Sequence, residues 1–433
     1  MTKDGKLPPE ATVASMESRF AGKRTGALAK LLRARVRFEN GDFDGAAAVL
    51  NSNEFREKTK LADYALWYRG KALQQAGNHQ DAMAVFSELI KNYSESLNVT
   101  DAKLLWAESA VRSGQYAKVP EFLRDLNDLN VGASLTATAR AYEAGGNQPE
   151  AVRYYRRAYL FAPGTDAAKD AETKLTALQQ PLTPVTLDEA RARADRLFTS
   201  KNYAAADKAF SEMIQAFPAS GSPAVHYNRL VTLAALRRMP DAKLAFDLVP
   251  AGDPAKEEAY YQLVIGYARS RLFADARKWA DEMRIKFPTG KLTPKAFIDA
   301  GYAARDAKAR SDESYFLNTA VVVFRNAVEV AGAQFELAWM QHESGNFAQS
   351  SQMLVDHLAR YAEKDTTNRG KAGYWAARDS ERAGKAADAC ALYDGVIYRY
   401  SANWYGYLAQ QRLGAMKGRE ECKQAQQGPQ TAK

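Results

Sequence analysis

Along most of this chain alanine and long straight-chain residues carry the apolar positions, and the period-two alternation of Val, Thr and Ile that marks a half-buried strand is rare. The pattern predicts helix nearly everywhere. It also predicts where the helices turn, because Gly41, Gly77, Gly114, Gly146, Asn202, Arg238, Leu272, Gly345 and Gly384 recur mostly 32 to 39 positions apart. Small residues keep fixed places around these turns. Gly70 and Gly77 precede Ala82 by twelve and five positions, Ala139 and Gly146 precede Ala151 likewise, and so do Ala377 and Gly384 before Ala389. On the far side the spacing is four and then eight, in Ala151, Tyr155, Pro163, in Ala206, Phe210, Pro218, and in Ala276, Ala280, Pro288.

This register resembles the tetratricopeptide repeat. Its physical sense is local: Gly or Ala lets two antiparallel helices approach, an aromatic fills the gap beside it, and Pro ends the second helix. One pair alone leaves an apolar face bare, and stacking the pairs covers it. The resemblance implies an all-α, right-handed superhelical solenoid of antiparallel helix pairs with a concave inner wall. One interruption, at 181–186, holds two prolines. Thr186 reads there as a helix N-cap, with Glu189 at the capping-box position. The expected organisation is a helical array over 1–180, a second over 187–414, and a disordered tail over 415–433.

Composition narrows the function without naming it. The net charge of +9 suits an anionic partner, but no run of five Lys or Arg occurs, and Arg33, Arg35 and Arg37 stand beside Glu39 at helical spacing. A solvated face is the reading, with no nucleic-acid partner expected. No apolar stretch approaches the length of a transmembrane helix, and the first eleven residues lack the apolar core of a secretory signal. As written, the chain is expected to be soluble and not exported.

Catalytic and cofactor patterns are missing. The histidines at 79, 226, 342 and 357 never form a His-x3-His pair, and His342 reads as a turn residue. Gly290-Lys291 and Gly370-Lys371 lack the rest of a phosphate loop. No nucleophile elbow or dinucleotide fingerprint is present, so neither enzymatic activity nor a cofactor or metal is expected. Cys390 and Cys422 lie 32 positions apart, about one repeat. They are a disulfide if the compartment is oxidising, and two unconnected thiols otherwise.

From Phe335 to Gly414 the chain resembles something more specific. Phe335-Glu336-Leu337-Ala338-Trp339, then Lys371-Ala372-Gly373-Tyr374-Trp375-Ala376-Ala377-Arg378, then Tyr405-Gly406-Tyr407-Leu408-Ala409 look like the end of the superhelical, non-catalytic region of soluble lytic murein transglycosylases. In that family the superhelix precedes a lysozyme-like domain whose catalytic glutamate sits in Glu-Ser-x-Phe, followed by Gly-Leu-Met-Gln. Glu17-Ser18-Arg19-Phe20 and Glu313-Ser314-Tyr315-Phe316 match the first four letters, but neither is followed by the second motif. Both read as ordinary repeat residues, and the 19 residues after Gly414 are too few for the enzyme domain.

The resemblance therefore implies an accessory module for peptidoglycan processing or binding, in the periplasm or cell envelope. The alternative is a generic scaffold for a protein or peptide partner, cytoplasmic by its lack of a signal segment. Tyr374, Trp375, Arg378, Trp404, Tyr405 and Tyr407 are the candidate groove residues: the rings to stack on sugars or grip a helix, Arg378 to meet a carboxylate. The helix-packing character of Ala376, Ala377, Leu408 and Ala409 favours Trp375 and Tyr407 packing between helices instead, with Trp404 the surface exception.

Overall fold

A computed structural model describes residues 7–327, 329–361, 367–368, 370–416 and 418–427 of the 433. Among them are twenty-six α-helices and no strand. Contacts group the chain into two units, Met1–Phe217 and Pro218–Lys433. No described helix is long and apolar enough to cross a membrane, and no three metal-ligating side chains cluster among the described residues.

Each unit is a stack of antiparallel pairs, here called helix A and helix B. In the first unit Ala62–Gln75 pairs with His79–Asn92, Gly132–Ala144 with Gln148–Phe161, and Leu187–Thr199 with Tyr203–Ala216. In the second, Pro223–Ala235 pairs with Met239–Asp247, Lys256–Arg269 with Phe273–Lys286, Leu292–Asp306 with Arg310–Val323, Val330–Glu343 with Phe347–Tyr361, and Lys371–Arg382 with Ala386–Tyr400.

The A-to-B turn is the same device throughout. One residue takes left-handed backbone, and amides of that residue and the next return to carbonyls of helix A, as Gly77 N to Gln74 O and Asn78 N to Leu73 O do. Glycine serves at 41, 77, 114, 146, 345 and 384, but Lys201, Arg237, Arg271 and Lys308 occupy the same place at φ near +60°. The turns expected at Asn202, Arg238 and Leu272 are therefore one residue late. Those three residues are the N-caps of the B helices, and Asn202 accepts the amide of Ala205. Lys308 supplies a turn where the expected spacing had a gap.

The twelve-position rule extends beyond the three pairs read from the sequence. Ala34 and Ala46, Ala194 and Ala206, and Ala107 and Val119 are buried on either side of their turns in the same way. On the B-helix side two repeats depart from it: Glu313 and Ser350 stand, both buried, where the others have alanine or valine. Prolines act as expected, since the B helices end at Phe161, Ala216 and Lys286, just ahead of Pro163, Pro218 and Pro288.

The stretch 181–186, expected to divide two arrays, is a loop that lies within the first of the two contact units. Side chains tie the loop down: Arg156 donates to the carbonyls of Pro181 and Thr183 and pairs with Glu189 at 3.1 Å. Thr186 Oγ1 accepts the Glu189 amide, and Glu189 accepts the amide of Val185 rather than that of the cap.

Part of the stretch expected to be a disordered tail is regular. Glu420–Gln427 is helical and packs on Ala386–Tyr400, with Cys422 buried against it. A covalent tie and an apolar contact give this short polar segment the support its sequence alone does not signal. Residues 428–433 lie outside the described residues.

Candidate functional site

The helices Val330–Glu343 and Lys371–Arg382 are consecutive A helices, and together they carry a cluster of aromatic and cationic side chains. Trp339 and His342 are three positions apart on one helix face, so their rings stack, with centroids 4.3 Å apart. Trp375, from the next A helix, meets both edge-on at 4.9 Å. Lys371 Nζ sits 4.3 Å over the Phe335 ring, and the Arg382 guanidinium 5.0 Å over Phe347. Trp339, His342 and Trp375 all stay partly open to solvent.

What fixes the rings is polar and buried. Asp379 has no solvent exposure, and its two oxygens lie 2.8 and 3.0 Å from His342 Nδ1, whose N–H they accept. Ser350, the residue that replaces alanine at its crossing, donates to the same carboxyl at 2.6 Å. Arg382 lies 3.9 Å from Asp379. Ser351 donates to the Ala376 carbonyl at 2.9 Å and lies 2.7 Å from Ser380 Oγ. A buried carboxyl is costly without such partners, and here they determine how His342, and the tryptophans against it, are oriented.

The residues singled out from the sequence fall into three places. Tyr374 is buried, with Tyr393, Tyr405 and Trp375 around it. It and the partly buried Tyr405 belong to the packing of the last repeats rather than to an open face. Arg378 is already engaged, donating to Glu381 at 2.7 Å, while Glu381 also accepts from the Tyr393 hydroxyl at 2.9 Å and from Arg412. Burial works against the Glu381 charge, but these hydrogen bonds outweigh it and hold the carboxyl below the usual range. Burial and the bond to Glu381 push the Tyr393 phenol up.

Trp404 is 65% exposed and Tyr407 is 49% exposed, with ring centroids 5.7 Å apart. Tyr407 does not pack between helices; its hydroxyl accepts from Gln411 at the surface. Cys390 and Cys422 are joined by a disulfide, with Cα atoms 5.5 Å apart.

Sequence reasoning overlooked Trp339, His342 and Asp379 as one group. His342 is in the last turn of a helix, not in a loop, and its partner is 37 positions away. The legible signal was Trp339 and His342 at helical spacing. The two glutamates of the Glu-Ser-x-Phe segments lie elsewhere: Glu17 accepts from Arg33 at 2.6 Å, and Glu313 is buried at a helix crossing.

The family described as the tetratricopeptide repeat matches residues 64–96, which hold all but the first two residues of the Ala62–Gln75 and His79–Asn92 pair. No curated protein matches the sequence. Among solved structures, the chain is similar to the yeast Tom70, at 14% identity and a TM-score of 0.29, covering 90% of this chain and 96% of that one. It is similar to the TPR domain of P58(IPK), at 13% identity and a TM-score of 0.25, covering 84% and 99%. It is also similar to the TPR2AB domain of yeast Sti1, solved as a pHSP90 complex, at 18% identity and a TM-score of 0.23, covering 63% and 98%. None of these carries the transglycosylase resemblance of the C-terminal segment further.

Proposed function

We propose that this chain is a non-catalytic tetratricopeptide-type scaffold that holds a peptide or helix of a partner protein against the face made by Trp339, His342 and Trp375. One observation carries the reading. A fully buried Asp379, bonded to His342 and Ser350, orients aromatic rings that remain partly open to solvent, an outlay that packing alone does not require. Pre-oriented aromatics are the side chains that dominate binding energy at protein interfaces.

The test is selection of binders from a random peptide library, followed by titration of the enriched peptides against the wild type and a Trp339→Ala, Trp375→Ala variant. The expected loss in affinity is about tenfold or more. Equal affinity for both proteins would remove this face from the reading.

A second reading is favoured by the Cys390–Cys422 disulfide, because such bonds persist in oxidising compartments. In this reading the protein works in the periplasm or cell envelope, as an accessory to peptidoglycan binding or processing, in keeping with the resemblance of 335–414. Trp404 and Tyr407 are then the exposed rings that stack on sugars. Sedimentation with purified sacculi that is lost in a folded Trp404→Ala, Tyr407→Ala variant is the expected result. Absence of sedimentation leaves the peptide scaffold.

A further inference from the structure

Glycine fills the left-handed position of six turns, yet three consecutive A-to-B turns of the second unit hold Arg237, Arg271 and Lys308 there, each at φ +60°. An L side chain is strained in this region, and neither Arg nor Lys has the short polar side chain with which Asn or Asp offsets the strain. All three are exposed, as is Arg269 at the end of the middle A helix. Among the described residues none of these four side chains has an ion-pair or hydrogen-bond partner. Neighbouring carboxylates are mostly engaged: Asp241 by Arg238 at 2.7 Å, Asp306 by Arg305 at 3.4 Å, and Asp312 by Arg277 at 2.7 Å, with Asp275 exposed among them.

The helix dipole favours a cation near the end of helix A, but that does not require strain. The turn at Gly384 shows the unstrained solution, with glycine in the left-handed place and the exposed Lys385 next to it. Strain retained in three successive repeats points to use of the side chains in those positions. The helices Pro223–Ala235, Lys256–Arg269 and Leu292–Asp306 pack side by side. Their ends therefore follow one another along one edge at roughly 8–10 Å, the usual helix-packing distance.

We propose that this edge, made by Arg237, Arg269, Arg271 and Lys308, binds an extended acidic segment of a partner protein. An extended chain rises about 3.3 Å per residue, so a carboxylate at every third residue meets successive turns. A nucleic-acid backbone carries a charge at every nucleotide and would press phosphates onto Asp241, Asp275, Asp306 and Asp312, whereas spaced carboxylates avoid them. The proposal goes beyond the aromatic face and stands without it.

The test uses the full chain, a labelled peptide with Glu at every third residue among Gly and Ser, and a single-stranded DNA of equal charge. Binding is followed by fluorescence anisotropy at low salt. The Arg237→Gly, Arg271→Gly, Lys308→Gly variant relieves the strain and stays folded, so a lost interaction is not a lost fold. An Arg237→Asn, Arg271→Asn, Lys308→Asn variant checks the same point with side chains retained. The expected result is peptide binding that both variants weaken about tenfold, from three charge contacts, and that Trp339→Ala, Trp375→Ala leaves unchanged. No binding by the wild type, equal binding by the variants, or tighter binding of the DNA than of the peptide overturns the proposal.

Discussion

Gly70 and Phe86 meet so closely that a Cβ placed on Gly70 would lie 2.6 Å from Cζ of the Phe86 ring. Phe86 is fully buried, so its ring can yield only by displacing packed neighbours. Gly70→Ala is expected to destabilise the first unit by about 1–3 kcal/mol, the usual cost of overpacking. Adding Phe86→Leu should recover part of it. Urea unfolding of the two variants checks this, and a Gly70→Ala protein as stable as the wild type would show that the crossing is not tight.

The left-handed turns give a pair of opposite expectations. Gly77 has φ +81° and Arg271 has φ +60°, both in regions where an L side chain is strained. Gly77→Ala should cost about 1–2 kcal/mol, and Arg271→Gly should return about the same, less the greater freedom glycine has in the unfolded chain. Thermal melts at equal ionic strength compare them.

Glu313 makes stability depend on pH. It is 1% exposed at a crossing where most repeats have alanine, one oxygen is bonded to Arg310, and the other has no partner. Burial raises its pKa, with Glu336 adding to the effect and Arg310 and Arg305 opposing it. The folded state therefore holds the proton more tightly than the unfolded state does. The stability this contributes is fully present below the unfolded value and is lost as pH rises through the folded one. Glu313→Gln should remove that decline, so the stability difference between variant and wild type grows in favour of the variant from about pH 4 to pH 8. Melting temperatures across that range that run parallel for the two proteins would refute it.

The disulfide holds the last helix. Cys390 and Cys422 are both buried, and the bond ties Glu420–Gln427 to Ala386–Tyr400. Reduction, or Cys422→Ser, should cost about 2–4 kcal/mol by releasing a closed loop in the unfolded chain. Because stacked repeats contact mainly their neighbours, the loss should be local. Hydrogen exchange should rise over 386–427 and stay unchanged before Val330.

How much of this was readable in advance depends on the range of the signal. The pair Ala151 and Tyr155 and the proline at 163 act within one helix and its end, and the helix does stop at Phe161. Gly41, Gly77 and Gly384 likewise mark their own turns, because glycine is the residue that takes left-handed backbone without cost. Arg237, Arg271 and Lys308 do the same task against their preference, so nothing in their side chains announced it. Within the expected tail, the helix Glu420–Gln427 was not legible for a related reason: it is polar and short, and its link to Cys390 and the helix beneath it support it.

The sequence by itself determined that this protein is a run of antiparallel helix pairs, since each pair is specified by small residues and turns within about one repeat. The tertiary structure decided which side chains become a site. Asp379 meets His342 across 37 positions, Trp375 closes on Trp339 from the next repeat, and Arg378 is taken up by Glu381 instead of facing outward. Such pairings depend on how successive helices rotate and stack. That arrangement is set by the sum of many apolar contacts and is not written in any one helix.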